Sequence, residues 1–197
     1  MVTSEVPKRQ RLSVDARRSQ LVAVGVELIA TQSWDDLTMN DIAAAAEVSK
    51  PLLYHYFSTK SDLYLAAMQA AADQLSESTR PDPALPAKAR LRAALRVHVD
   101  WVEVHAHGFQ TLLQGGVSGD PRARQIIEDA RAETVRRVVH SMDLDEAPPL
   151  LRIALKGWVG FLEVACLEWL ETPDVSKDEL VTLLAKSLPG AIRSAGA

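Results

Sequence analysis

Two neighbouring segments decide the fold: Thr38-Met39-Asn40-Asp41-Ile42-Ala43 and Val48-Ser49-Lys50-Pro51-Leu52-Leu53-Tyr54-His55-Tyr56-Phe57-Ser58-Thr59-Lys60. Together they predict two short helices joined by a tight turn. Thr38 is an N-cap residue, and Asp41 places an acidic side chain three positions later, which is close to a capping box. Ser49 caps the second helix, and Pro51 lies in its first turn, where a missing N–H costs nothing.

The second helix has one face for a core and another for contact. Leu53 and Phe57 lie one helical turn apart and are predicted to point inward. The remaining side chains are predicted to point outward: Lys50, Leu52, Tyr54 and His55. A helix this short cannot form a core alone, so its mixed outer face is predicted to bind a partner. Helix-turn-helix binding of DNA is the simplest interpretation.

The chain from about Arg17 to Met68 resembles the tetracycline-repressor (TetR) family of bacterial transcription regulators. The resemblance rests on both short helices, on the helices that flank them and on the run Leu53-Tyr54-His55-Tyr56-Phe57. Further matching residues are Arg18, Ala23, Leu28, Ile29, Trp34, Leu37, Thr38, Ile42, Ala43, Val48, Ser49, Lys60 and Leu63. The resemblance implies an all-α protein with an N-terminal helix-turn-helix domain and a C-terminal helical domain for ligand binding and dimerisation. Its implied partner is double-stranded operator DNA.

The resemblance also implies roles at the DNA. Four residues would meet base edges or the groove wall: Lys50, Pro51, Leu52 and His55. Four others would hold backbone phosphates: Thr38, Ser49, Tyr54 and Lys60. The alternative for Tyr54 and His55 is a contact between helices of the protein itself.

Two positions depart from the family pattern. Family members usually carry glycine where this chain has Glu47, because the turn often needs a positive φ; a non-glycine residue there costs about 1 kcal/mol. Pro51-Leu52 replaces a pair that is more often small or polar. Base recognition is therefore predicted to use apolar contacts with thymine methyl groups.

Composition indicates a globular protein, since 47% of the 197 residues are hydrophobic and 24% are charged. The net charge of −4 neither supports nor excludes DNA binding, because a regulator contacts DNA with a small part of its surface. The single cysteine, Cys166, lies in an apolar helical stretch and is predicted to be a buried thiol. No apolar run reaches transmembrane length, so we expect a cytoplasmic protein without membrane contact.

Helical periodicity continues beyond the two short helices and predicts about nine helices without a convincing strand. Further helices are predicted from Ser13 to about Thr31, Thr59 to Thr79, Ala87 to Ala106, Gly108 to Gln114, Pro121 to Met142, Pro149 to Glu171 and Ser176 to Arg193. A proline-rich break at 81–86 and a glycine-rich turn at 115–120 interrupt the pattern. We divide the chain into a flexible basic arm (1–12), a helix-turn-helix domain (13–60) and a ligand-binding and dimerisation domain (61–197).

Aromatic, imidazole and apolar side chains in the C-terminal half predict an effector pocket. His98, Trp101 and His105 share one helix face, at i, i+3 and i+7. The other candidates are Phe109, Leu112 and Leu113 on the next helix and Leu155, Trp158, Leu162 and Trp169 on the long C-terminal helix. This set suits a hydrophobic or amphipathic small molecule, and the resemblance implies a cavity in this half. Ordinary core packing is the alternative for each residue taken alone.

A second face of the long C-terminal helix predicts a homodimer interface. Its residues are Ala154, Gly157, Gly160, Phe161 and Val164. Small residues permit close helix–helix approach, and a helix that is apolar nearly all round needs burial on most sides. The alternative is that the two glycines make room for Trp158 and Trp169.

Enzymatic patterns are lacking in the sequence. His105 and His107 are two residues apart and point to different helix faces, so we expect neither a metal site nor a cofactor. Gly115-Gly116-Val117-Ser118-Gly119 matches neither a P-loop nor a nucleophile elbow. We therefore expect a ligand-responsive regulator, in the simplest case a repressor released from its operator by a hydrophobic small molecule. The alternative is a regulator-like protein that sequesters a protein partner without specific DNA binding.

Overall fold

A computed structural model describes residues 13–80, 82–113, 120–172 and 174–196, with the side chains of Leu112 and Leu113 excepted. Within these ranges the chain forms nine α-helices and no β-strand, as the all-α prediction requires. The helices are α1 (Val14–Thr31), α2 (Met39–Ala45), α3 (Lys50–Tyr56), α4 (Lys60–Ser78), α5 (Ala87–Val104), α6 (Ala106–Leu113), α7 (Pro121–His140), α8 (Pro149–Glu171) and α9 (Lys177–Ser194). The predicted basic arm and most of the predicted glycine-rich turn lie outside the described residues.

Side-chain caps determine where several helices begin. Thr38 and Asp41 form a full capping box at α2: the Asp41 carboxylate accepts a hydrogen bond from the Thr38 backbone N–H at 2.8 Å, and the Thr38 hydroxyl accepts one from the Asp41 N–H at 3.3 Å. The hydrogen bond from the Thr38 hydroxyl lowers the pKa of Asp41. Thr59 repeats the device at α4, and Ser13, Ser49 and Ser176 cap α1, α3 and α9.

The helices enclose two hydrophobic cores. The first lies among α1 to α4 and includes Leu21, Ile42, Leu53 and Leu63, with a contribution from the start of α7. The second lies among α5 to α9. Cys166 is fully buried in this second core, as predicted, and its burial raises the pKa of the thiol to about 12. The predicted domain boundary at residue 60 coincides with the start of α4, although the first half of α4 packs into the first core.

Two close contacts join the cores. Helix α4 packs against α1, α5 and α7, and α7 accompanies it from Asp62, which pairs with Arg122, to Ser76, which accepts a hydrogen bond from Arg137. Helix α6 approaches α1 at Gly108, where an added Cβ would lie 2.9 Å from Ile29 Cγ2 and 3.0 Å from the Ile29 carbonyl oxygen. Only glycine permits this approach, so α6 rests directly on the helix that supports the helix-turn-helix. Hydropathy along the described helices stays below that of a segment able to span a bilayer.

Candidate DNA interface and effector cavity

The turn between α2 and α3 has the backbone conformation expected from the sequence. Glu47 has a φ of 52°, which lies in the left-handed region that favours glycine. The turn is held by backbone hydrogen bonds from Glu47 N–H to Ala44 O (3.1 Å) and from Val48 N–H to Ala43 O (3.0 Å). The helix-turn-helix therefore accommodates a glutamate at the position where the sequence resemblance leads us to expect glycine.

Helix α3 presents one side to the first core and the other to solvent. Leu53 and Phe57 are buried, which confirms their predicted inward orientation. Tyr54 is 45% exposed, and Leu52 is half-buried. His55 is exposed and meets the ring of half-buried Tyr56 edge-on, at a centroid distance of 5.2 Å.

The remaining predicted DNA contacts lie at helix starts. Lys50 and Pro51 form the exposed first turn of α3. Thr38 and Ser49 are exposed N-cap residues, so they stand beside the free backbone N–H groups of α2 and α3, where anions bind readily. Together with the outer side of α3, these residues form the candidate DNA surface.

Lys60 differs from the other predicted contacts because it has partners within the protein. Its ammonium group donates hydrogen bonds to the carbonyl oxygens of Trp34 (2.7 Å), Leu37 (2.6 Å) and Asp35 (3.1 Å). An ammonium group has three N–H donors, so these bonds engage all of them. Lys60 was predicted to hold a backbone phosphate, but its donors are engaged within the protein, and we leave it out of the proposed contacts with DNA.

A cavity of about 1520 Å³ lies in the C-terminal half. Helices α5 to α9 supply most of its wall, and α1 and α4 supply the rest through residues such as Ile29 and Met68. Six predicted pocket residues line it: His98, Trp101, His105, Phe109, Trp158 and Leu162. The cavity is thus bounded by both halves of the molecule.

Two predicted pocket residues do not reach the cavity, and two cannot be placed. Leu155 is 1% exposed and belongs to the second core without lining the cavity. Trp169 lies near the end of α8 and donates from its indole N–H to the Val175 carbonyl at 2.8 Å, so it covers the α8–α9 loop. The side chains of Leu112 and Leu113 lie outside the described residues.

Two polar atoms of α5 are buried without a hydrogen-bond partner among the described residues. They are His98 Nε2 and Trp101 Nε1. The His98 ring keeps some accessible surface because it lines the cavity, but it is removed from bulk water, and this desolvation lowers its pKa to about 4. His98 is therefore a neutral imidazole near pH 7. Beside it, Trp101 stacks on His105 with a centroid distance of 4.0 Å.

Ion pairs also line the cavity, and sequence reasoning did not identify them. Arg131 on α7 donates to both carboxylate oxygens of Glu163 on α8, at 2.9 and 2.8 Å. Arg137 donates to Glu133 at 3.0 Å and also to the Ser76 hydroxyl of α4. These partners are far apart in sequence or lie on a polar helix face, so no local pattern marks them as cavity residues.

The predicted dimer face of α8 is open to solvent within this chain. Phe161 is 40% exposed, Val164 is 65% exposed, and Ala154 is half-buried. A Cβ added at Gly157 or Gly160 would have no heavy atom of the described residues within 4 Å. Trp169 therefore does not pack against either glycine, and Trp158 does not pack against Gly160. Leu150 and Ile153 extend the same exposed apolar stripe.

An exposed helix-turn-helix on a helical body with a large cavity is the architecture of a helix-turn-helix transcriptional regulator. Comparison with known proteins agrees: residues 21–67 match the family described as bacterial regulatory proteins, tetR family, and residues 87–189 match the tetracyclin repressor-like C-terminal domain. The chain belongs to the TetR family, and it is a DNA-binding transcriptional regulator rather than an enzyme.

Individual relatives support the same assignment. A tetR-family transcriptional regulator from Streptomyces coelicolor is 30% identical in sequence, with a TM-score of 0.87 over 94% of this chain and 84% of that protein. The HTH-type transcriptional activator FasR from Mycolicibacterium smegmatis is 33% identical over the matched region. That region covers 57% of this chain and about half (52%) of FasR. FadR from Bacillus subtilis, 18% identical, shares the fold with a TM-score of 0.65 over 88% of this chain and 97% of FadR.

Proposed function

We propose that this protein is a dimeric operator-binding repressor that a hydrophobic or amphipathic small molecule releases from DNA. Regulators of its family bind operator DNA, dimerise and bind small-molecule effectors. The observation that carries the proposal is the composition of the cavity wall. Ile29 of α1 and Met68 of α4 line the same cavity as Trp101 of α5, so one bound molecule would contact helices of both cores.

The proposed DNA surface is the outer side of α3 with the two helix caps. Lys50, Pro51, Leu52 and His55 meet the major groove in this proposal, and Thr38, Ser49 and Tyr54 hold phosphates. The exposure of Lys50 and Tyr54 supports it, because no partner among the described residues engages either side chain. Half-buried Leu52 offers an apolar edge suited to a thymine methyl group.

The proposed effector carries an uncharged oxygen as well as apolar surface. His98 Nε2 and Trp101 Nε1 are buried polar atoms, and such atoms cost free energy unless water or a ligand meets them. The indole N–H is a donor only, and neutral His98 can donate beside it. One hydroxyl or carbonyl oxygen between them satisfies both. FadR of Bacillus subtilis, which shares the fold, is described in complex with stearoyl-CoA, a molecule with a long apolar chain.

The proposed dimer forms through the exposed apolar stripe of α8. Large apolar side chains such as Ile153 and Val164 are exposed there beside Gly157, which leaves room for a close approach. A symmetric pair buries the same stripe on both subunits. Two recognition helices must then lie about 34–36 Å apart to meet successive half-sites.

The proposed coupling between cavity and DNA uses the contacts that join the cores. An effector pressing on α4 or α6 moves α1 as well, because Gly108 of α6 rests against Ile29. A small rotation of each helix-turn-helix changes the spacing of the recognition helices. Release needs only a coupling free energy of roughly 1–3 kcal/mol between the effector and DNA.

A mobility-shift assay with the DNA upstream of the protein's own gene tests the proposal. We expect a shifted complex with the wild type, dissociation on addition of a lipophilic alcohol such as dodecanol, and no complex with a Lys50→Ala/Tyr54→Ala variant. The control is Lys156→Ala, which changes an exposed residue of α8 away from the DNA surface.

Two results would contradict the proposal. A protein that shifts no DNA, yet keeps its helical content, would favour the alternative of a sequestering protein. A protein–DNA complex that is insensitive to lipophilic molecules would support DNA binding but contradict the proposed effector. A reporter fused to the same promoter determines whether the protein represses or activates transcription. For a repressor, expression should rise when the gene for the regulator is deleted.

A further inference from the structure

We infer that the effector is an anionic amphiphile, and that its acidic head group is bound between the first half of α5 and the second half of α9. This inference rests on the proposed effector cavity and adds the charge of the ligand. Three observations support it. They are the alignment of the antiparallel helices α5 and α9, the basic residues near the start of α5, and the apolar cavity wall next to these residues.

Polar contacts define how α5 and α9 lie against each other. Arg96 forms an ion pair with Asp178, and Arg92 donates to the Thr182 hydroxyl at 2.9 Å. Each step of four residues forward along α9 is thus matched by four residues backward along α5. One more helical turn in the same register places Lys88 opposite Lys186. Two ammonium groups that face each other repel, and an anion between them removes the repulsion.

Further basic side chains of α5 and α9 line the same cavity. Lys88, Lys186, Arg92 and Arg193 all line the cavity and are exposed, and Arg90 lines it as well. Among the described residues, none of these five side chains forms an ion pair; we call them the basic rim.

Carboxylates along the cavity do not neutralise the basic rim. Glu163 is engaged by Arg131, and Glu133 is engaged by Arg137 and Arg136. Asp143 is the remaining acidic residue among the described residues that line the cavity. The end of the cavity at the basic rim is therefore cationic.

Helix α5 provides an apolar wall inward from the basic rim. Leu91 and Leu95 line the cavity between Lys88 and His98. His98 lies six residues beyond Arg92, which is about 9 Å along an α-helix. A ligand can therefore bind with its charge at the basic rim and its chain among leucines, with the unpartnered His98 Nε2 further in.

Carboxylate and phosphate head groups both fit the basic rim. Each accepts charge-assisted hydrogen bonds from lysine and arginine, and arginine can bind either one through two parallel N–H groups. The shared chemistry is an anionic head on an apolar chain. The two sources are a fatty carboxylate and an alkyl or acyl phosphate, and the experiment separates them.

The test measures binding of four probes with one chain length to the full protein: dodecanoate, dodecyl phosphate, dodecanol and dodecyltrimethylammonium, each below its micellar concentration. Calorimetry gives the affinity, and release of operator DNA gives the response. We expect the better anion to bind about tenfold more tightly than dodecanol, and the cationic probe to bind weakest. The preference for the anion should fall as salt is added.

The variant Lys88→Gln/Lys186→Gln should lose roughly tenfold in affinity for the better anion while its affinity for dodecanol is unchanged. Both residues are exposed, so the fold should persist. The matched control is Arg124→Gln/Arg152→Gln, which removes the same charge from exposed positions outside the cavity and should bind every probe as the wild type does.

The possible outcomes distinguish this inference from the proposed function. Equal affinity for dodecanol and both anions would contradict the proposed anionic head group. It would not contradict the proposed lipophilic effector. If the control variant also lost affinity for the anion, the loss would be explained by the net charge of the protein alone. That result would contradict binding of the head group at the basic rim. If no probe binds or releases DNA, the effector cavity and the head group are both overturned. A preference for dodecanoate or for dodecyl phosphate identifies the source.

Discussion

The ammonium group of Lys60 donates a hydrogen bond of 2.7 Å to the carbonyl oxygen of Trp34, 26 positions earlier in the chain. The first residue of α4 thereby holds the turn between α1 and α2. The indole of Trp34 also packs against the ring of Tyr64, with centroids 5.2 Å apart. Because α2 and α3 connect these two points, this contact fixes both ends of the helix-turn-helix.

Replacing Lys60 with alanine should therefore destabilise the N-terminal core. The variant leaves three carbonyl oxygens without their charged donor, and hydrogen bonds to charged groups contribute roughly 1.5–3 kcal/mol. We expect a loss of about 2 kcal/mol in the free energy of unfolding, measured by urea denaturation. The salt dependence of DNA binding should not change, because the ammonium group is already engaged.

Lys50→Ala is the matched control for Lys60, since it removes the same charge from an exposed position at the start of α3. Its free energy of unfolding should stay within about 0.5 kcal/mol of the wild type. Its slope of log affinity against log salt should fall by about one unit, as expected when one cation leaves the DNA interface. The reverse pattern for the two lysines would make Lys60 the phosphate contact after all.

Leu52 and Tyr54 should separate recognition of sequence from recognition of the backbone. Leu52→Ser should change which operators are preferred in a selection from random DNA, because only groups in the groove carry sequence information. Tyr54→Phe should weaken binding to every sequence about equally without changing the salt slope, since it removes one uncharged donor. An unchanged ranking of operators in Leu52→Ser would place base recognition elsewhere on α3.

The parts of the fold that depend on near neighbours in sequence were predictable. A cap such as Thr38 needs only Asp41 three positions later, and the positive φ of Glu47 follows from a two-helix turn of fixed length. The inward positions of Leu53 and Phe57 follow from helical periodicity. These features depend only on interactions between residues that are close in sequence.

The cavity depends on packing between distant segments, and there the prediction was partial. Leu155 and Leu162 lie two turns apart on one face of α8, yet only Leu162 borders the cavity. Periodicity tells which side of a helix points inward but not whether the space beyond it is filled. The pair Arg131–Glu163 spans 32 positions, and no spacing rule connects its members.

The depressed pKa of His98 predicts a pH dependence of stability. Its pKa of about 4 in the folded protein is below the ordinary 6.5, so the unfolded chain binds the proton more tightly. The stabilisation is complete above pH 6.5 and is lost as the pH falls toward 4, by up to about 3 kcal/mol. In His98→Phe this decline should be absent, as measured by urea unfolding at several pH values. Parallel curves for both proteins would show that His98 is not desolvated.

Gly157→Leu should separate folding of the subunit from dimer formation. Nothing in the described part of the chain lies within 4 Å of the added Cβ, and leucine favours a helix more than glycine does, so helicity should be retained. Across a close subunit contact the same side chain overpacks, at a cost of about 1–3 kcal/mol. Sedimentation should therefore show a weaker dimer, whereas Arg152→Leu on another side of α8 should leave it intact. A wild type that sediments as a monomer at micromolar concentration would refute the proposed interface.

Tryptophan fluorescence should report occupancy of the cavity. Of the four tryptophans, Trp101 and Trp158 line the cavity, whereas Trp34 is in the first core and Trp169 covers the α8–α9 loop. An effector in the cavity should change the emission of the first two at the concentration that releases DNA. It should also raise the melting temperature, because it binds the folded state.

Single replacements by phenylalanine assign that signal. Trp101→Phe and Trp158→Phe should each remove part of the change, and the double variant should remove most of it. Trp101 should contribute the larger spectral shift, since its indole N–H is unpartnered among the described residues whereas that of Trp158 donates to the Ser187 hydroxyl at 2.9 Å. Trp34→Phe and Trp169→Phe are the controls and should retain the full response. A full response in the Trp101→Phe/Trp158→Phe variant, with DNA still released, would mean that the effector binds outside this cavity.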